Sequence, residues 1–140
     1  MSDCVVTVPK NFTHPDAPGK KGLAAWVAEG QLPGDPESRI EWEFTTWGSR
    51  PCCYPGDRLY IVCEGRLRGY APIVRVECDA GRIVFVRWGD AVAVTIDERI
   101  RGFQGWRYRW WFREKERPFP DWRESADQIV RQATMLERMK

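Results

Sequence analysis

Hydrophobic and polar positions alternate along residues 40–47 (IEWEFTTW), where Ile40, Trp42, Phe44 and Thr46 stand against Glu41, Glu43 and Thr45. A period of two sends successive side chains to opposite faces of a strand, so this segment is expected to be a strand with one wet face. Residues 5–8 are β-branched, and 4–8 are expected to form a short opening strand, which Pro9 ends because it has no N–H to continue a ladder. Leu59, Ile61 and Val62 make residues 58–63 a more uniformly apolar, buried strand, entered through the turn Tyr54-Pro55-Gly56-Asp57 and left through the loop Glu64-Gly65-Arg66. Residues 67–78 return as a long strand in which Gly69 or Pro72 marks a bulge or bend. Asp79-Ala80-Gly81 turns the chain into residues 83–88, and Gly89-Asp90 is a hairpin dipeptide leading to residues 91–96. Residues 106–112 supply the last strand, with Trp106, Tyr108 and Trp110 expected on a core face and Arg107, Arg109 and Trp111 on a charged one.

Two segments carry a different period. Leu23, Ala24, Trp26 and Val27 suggest two helical turns over residues 22–29, ended by Gly30. Trp122, Ala126, Ile129, Val130, Ala133 and Leu136 recur at three and four residues, the spacing of an amphipathic helix over 122–139. Asp121 or Ser125 is its candidate N-cap, and the positive surplus after Arg131 suits the negative end of its dipole. Many short strands without alternating helices do not suit a parallel α/β sheet. The expected class is α+β, mainly β: a small, strongly bent β-barrel with a short N-terminal helix and a C-terminal amphipathic helix.

Composition narrows this further. A chain of 140 residues, 43% of them hydrophobic, is expected to form one domain with a real core. Its 22 basic and 20 acidic side chains nearly cancel, so affinity for a polyanion has to come from a local patch. No apolar run approaches the ~20 residues that span a bilayer, and the start MSDCVVTVPK lacks the pattern of a signal peptide, so a cytoplasmic protein without membrane association is expected. The cysteines Cys4, Cys52, Cys53, Cys63 and Cys78 lack the paired spacing of a zinc site and read as free, mostly structural thiols. A disulfide between the adjacent Cys52 and Cys53 would be strained; their place beside Pro51 in an expected loop makes them candidates for oxidation, with no catalytic role. His14 is the only histidine and is expected in a turn, so no His-based metal centre or triad is available and no cofactor is required.

The segment PGDRLYIVCEGRLRGYAPIVRVE, residues 55–77, resembles the central hairpin of PUA-like domains, in which Gly-Asp opens a hydrophobic strand and a small-residue turn leads to a second strand. The resemblance is to the EVE, YTH and ASCH branches of that superfamily, and it spans residues 40–119. Thr46-Trp47-Gly48-Ser49-Arg50 is similar to the segment with which EVE and YTH domains line their pocket. Val86-Arg87-Trp88-Gly89 places a second tryptophan where YTH domains carry another cage wall. Trp111, the charged run after it and Pro118-Phe119 are similar to the end of a YTH domain. The ASCH signature Gly-x-Lys-x-x-Glu-x-Arg is absent, since the nearest glycine and lysine cluster, GKKG at 19–22, has no Glu-x-Arg at that spacing.

The resemblance implies a module that binds DNA or RNA and accepts a flipped base, modified or not, in an aromatic pocket. Trp47 and Trp88 are its expected walls, and Gly48 and Ser49 its edge readers. A base stacked on an aromatic face gains about 1–3 kcal/mol. Arginine presents a planar fork to phosphate, so Arg50, Arg66, Arg68, Arg107, Arg109 and Arg113 are candidates for the backbone track. The plainer reading makes the tryptophans core packing and the arginines a solvated face neutralised by Glu114 and Glu116. Two other classes stay open. One is an ASCH-like hydrolase of modified nucleosides or bases, drawing on Glu41, Glu43, Asp57, Glu64 or Glu77 with Lys20, Lys21, Thr45 or Thr46. The other is a protein-interaction module, or a dimer, built on the helix at 122–139.

Overall fold

A computed structural model describes residues 2–12, 22, 41–88 and 91–118 of the chain, without the side chains of Glu41, Trp42 and Trp88. Eight strands lie among the described residues: β1 (Cys4–Thr7), β2 (Glu41–Trp47), β3 (Arg58–Cys63), β4 (Arg66–Asp79), β5 (Arg82–Trp88), β6 (Val94–Thr95), β7 (Trp106–Tyr108) and β8 (Arg117–Pro118). Six of them form a curled, barrel-like sheet in the order β2-β5-β4-β3-β1-β7, and β6 pairs with β8 beside it. The mainly-β expectation therefore holds. The helix expected at 122–139 lies outside the described residues, as do the Gly89-Asp90 hairpin and all of the 22–29 helix except Gly22.

Two tight hairpins build the centre of the sheet. Glu64 and Gly65 have φ of 54° and 81°, and Ala80 and Gly81 have φ of 49° and 84°. Positive φ at both central residues is the type I′ geometry, whose twist matches that of the strands it joins. The β4 strand is long because it serves two partners. Its residues up to Pro72 pair with β3, and from Ile73 onward they pair with β5. Register shifts between Ile61 and Val62 and between Ile73 and Arg75 mark the bends that curl the sheet.

The opening strand sits inside the sheet. β1 runs parallel to β3, Cys4 opposite Leu59 and Thr7 opposite Val62, and antiparallel to β7. Both of its faces are covered. Cys4, Val6 and Val8 join Leu59, Ile61 and Phe85 on one side, while Val5 joins Tyr60, Val62, Leu67, Ile96 and Trp111 on the other. That two-sided burial explains the unbroken apolar character of CVV and LYIVC.

The last expected strand is shorter than its pattern suggested. β7 ends at Tyr108, where its partner β1 also runs out, and the Arg109 N–H instead bonds the Asp3 carbonyl at 3.0 Å. Beyond that point the two-residue alternation fails. Trp111 is the ring in the core, 8% exposed, while Tyr108 and Trp110 are each 43% exposed and Phe112 is 75% exposed. The strand expected at 91–96 is likewise reduced to β6 and a single bridge from Val92 to Tyr70.

Candidate nucleic-acid interface

Trp47 closes β2 and projects from the sheet, 64% exposed. The residues after it dock against the start of β7 and the β4–β5 turn: the Trp106 indole N–H donates to the Ser49 carbonyl at 2.7 Å, and the Gly48 N–H donates to the Gly81 carbonyl at 2.9 Å. The Gly48 N–H and the Ser49 carbonyl are thus engaged within the protein. Gly105 has φ +75°, and a Cβ there would lie 2.9 Å from the Trp47 carbonyl oxygen. The close approach thus sets the position of Trp47. Trp106 and Tyr108 meet edge to face at 4.6 Å, and the Tyr108 hydroxyl accepts the Cys52 N–H at 2.9 Å.

Trp47 and Trp88 are not brought together. In the β2–β5 ladder Trp47 pairs with Arg82 and Trp88 with Glu41, at opposite ends. Six residue steps separate the two pairs, about 20 Å of strand. Beside Trp47 lies a groove of about 610 Å³, lined among others by Pro9, Phe44, Thr45, Phe103, Gln104 and Gly105.

The six candidate arginines divide by partner. Arg109 and Arg113 converge on one oxygen of Asp3, at 3.0 Å and 2.8 Å, while the Arg58 N–H donates to the other oxygen at 2.9 Å. Burial by itself would raise the Asp3 carboxyl, but the Arg58 backbone N–H and the guanidinium groups of Arg113 and Arg109 outweigh it and hold the group below its ordinary range. Asp3 in turn raises the pKa of Arg113. Arg109 also donates to the Trp111 carbonyl. These two arginines brace the start of β1 through Asp3. Arg68 donates to the Cys63 carbonyl at 2.9 Å and lies 4.0 Å from Glu64, with its pKa lowered by burial. It too serves the fold, at the β3–β4 hairpin. Arg66 is half-buried on β4, whereas Arg50 is exposed after Ser49. Arg107 is exposed with its guanidinium 4.3 Å over the Phe103 ring.

Arg107 has company that the sequence reading did not single out. Arg99, Arg101 and Arg107 line a basin of about 440 Å³ with Glu98, Gly102 and Trp110. Ile100 between the first two is buried, and its N–H bonds the Gly65 carbonyl at 2.9 Å, so both flanking arginines are thrown outward. The one carboxylate lining the basin, Glu98, accepts the Trp110 indole N–H at 2.8 Å. Three guanidinium groups against one carboxylate make a site for an anion with several oxygens. The signal was present in the chain as Arg-Ile-Arg, a strand-like alternation around a single apolar residue. Gly102 lines both the basin and the Trp47 groove, so the two concavities adjoin. A Cβ at Gly102 would lie 3.3 Å from the Thr7 methyl, and Phe103 N–H bonds the Thr7 hydroxyl at 3.1 Å, which holds this connector against β1.

A second polar cluster is structural. Glu116 accepts from the Tyr60 hydroxyl at 2.6 Å, from the Trp111 indole at 2.9 Å and from Arg58 at 3.3 Å. Burial and then the Glu116 carboxylate push the Tyr60 hydroxyl well above its ordinary value, so it stays a donor. The acid/base set of the hydrolase reading is scattered. Asp57 accepts the N–H groups of Ser2 and Tyr54, exposed Glu77 pairs with Arg75 at 2.9 Å, Glu64 lies by Arg68, and Thr45 is exposed while Thr46 is buried. Lys20 and Lys21 lie outside the described residues. Among the described residues no group of His, Cys, Asp or Glu is placed to hold a metal ion, and no helix is long and apolar enough to cross a membrane. No family model, no curated protein and no solved structure matches the chain.

Proposed function

We propose that this chain is a nucleic-acid-binding module that takes a single strand of DNA or RNA across the Gly102 connector. Phosphates lie in the basin of Arg99, Arg101 and Arg107, and one splayed base, modified or not, stacks on Trp47 and enters the adjoining groove. The observation that carries this reading is that an arginine-lined basin and an aromatic groove share a lining residue, Gly102. Each half has the chemistry of one half of a nucleotide. Guanidinium forks pair with phosphate oxygens, and an exposed indole stacks on any base face. A groove of about 610 Å³ lies within the range of small-ligand sites, and Gln104 on its lining carries both a donor and an acceptor for a base edge. The resemblance of residues 55–77 to a PUA-like hairpin agrees with this reading, and we propose a PUA-like barrel as its scaffold.

The test is fluorescence anisotropy with labelled single-stranded oligonucleotides, plain and base-methylated, over a series of salt concentrations. Binding is expected with a log–log salt slope of about −2, the value for roughly three phosphates neutralised on a single strand. A preference for the methylated strand would identify a modified-base reader. An unmutated protein that binds no oligonucleotide at low salt, or whose affinity ignores salt, ends the proposal.

A further inference from the structure

The sulfurs of Cys4 and Cys53 approach to 2.7 Å, and both residues are free thiols. A disulfide requires about 2.05 Å, so the pair has about 0.65 Å left to close. The approach is built into the fold from both sides. The Ser2 N–H donates to the Asp57 carboxylate at 3.0 Å, the Tyr54 N–H donates to the same oxygen at 2.9 Å, and the Arg58 N–H reaches Asp3 at 2.9 Å. The two residues just before Cys4 are thereby tied to the turn and strand start that follow Cys53. The two sulfurs also differ in access, because Cys4 is fully buried whereas Cys53 is partly open to solvent.

We propose that Cys4 and Cys53 are a redox-modification site at which a peroxide converts the two thiols into an intramolecular disulfide. Cys53 is the sulfur attacked first. The hydrogen bond from the Cys4 thiol favours its thiolate, against the opposing effects of burial, Asp57 and Asp3, while the same contact and burial raise Cys4. The Cys53 thiolate takes one oxygen of hydrogen peroxide, the O–O bond breaks, and hydroxide leaves behind a sulfenic acid. Cys4 gives its proton to that hydroxide, and its sulfur displaces the second hydroxide from the Cys53 sulfur as the S–S bond forms. This second hydroxide takes up the proton that Cys53 released at the start. Two thiols and one peroxide thus become one disulfide and two waters, with two electrons passing from sulfur to oxygen. Cys52 is adjacent and exposed, yet a vicinal disulfide with Cys53 is strained, whereas Cys4 is already in place. The site stands whether or not the domain binds nucleic acid.

The full chain, reduced and then treated with hydrogen peroxide, is blocked with an alkylating reagent and mapped by peptide mass spectrometry. The expected product is the Cys4–Cys53 cross-linked peptide, with a Tm roughly 10 °C above that of the reduced protein because the bond closes a long loop. Cys53→Ser is expected to abolish the cross-link, whereas Cys52→Ser and Cys78→Ser keep its rate and yield. Chain unfolded in urea before oxidation is expected to lose the selectivity for this pair. Oxidation that stops at a sulfenic acid, pairs Cys52 with Cys53, or proceeds no more selectively in the folded chain than in urea overturns the proposal.

Discussion

Asp3 shows how much one buried carboxylate can hold in place. It receives the Arg58 N–H and two guanidinium groups from a segment more than 100 residues away. Asp3→Asn leaves the two arginines facing a neutral amide, and the expected loss is about 3 kcal/mol by urea denaturation at neutral pH, as for a broken buried pair. The pH dependence follows from its lowered pKa. Its stabilising contribution is complete above the unfolded carboxyl value of about 3.9 and is lost as pH falls through the lower folded value. The urea midpoint of the native chain is therefore expected to drop on acidification below that value, with a smaller drop in the Asn variant. Trp47 is the opposite case, a large ring mostly in solvent. Trp47→Ala is expected to leave Tm nearly unchanged and to weaken oligonucleotide binding by about 1–3 kcal/mol, roughly 5- to 150-fold in Kd. Undiminished affinity in that variant would remove Trp47 from the interface.

At the scale of elements, the segment from Glu98 to Trp106 does the positioning. Ile100 anchors it to the core, Gly102 and Phe103 press it against Thr7, and Gly105 lets it pass under the Trp47 carbonyl. The arginines it carries are exposed and contribute little to folding. Arg99→Ala with Arg101→Ala is thus expected to keep the melting curve and to reduce the salt slope of binding by about 1.4 at 0.7 per phosphate contact. Gly105→Ala acts on both properties at once. Its Cβ would meet the Trp47 carbonyl at 2.9 Å in a left-handed backbone, so a stability loss of about 1–3 kcal/mol by urea denaturation is expected together with weaker binding as Trp47 shifts. Strand boundaries at this scale were legible where the pattern was local. The Glu64-Gly65 and Ala80-Gly81 turns and the alternation of Phe44 and Thr46 inward against Glu43 and Thr45 outward came through as read. The end of β7 did not, because it falls opposite the point where the antiparallel β1 begins and is not set by its own alternation.

For the molecule as a whole, the placement of β1 is decisive. An opening strand of four residues fills the slot between β3 and β7 and packs on both faces. Deleting residues 2–8 is expected to abolish cooperative urea unfolding, since it strips β3 and β7 of their shared partner and opens both cores; a sharp transition in the truncated chain would show that β1 is dispensable. Hydrophobic period and turn residues act over a few neighbours, so the sequence by itself determined a mainly β chain and its two central hairpins. Sheet order is a property of distant pairings. It alone decided that Trp47 and Trp88 stand at opposite ends of a ladder, that Arg109 and Arg113 turn inward to Asp3, and that Arg99 and Arg101 join Arg107 in one basin. The same order set Cys4 against Cys53, 49 residues apart in the chain, because β1 inserted beside β3 carries its residues to the loop from which β3 begins.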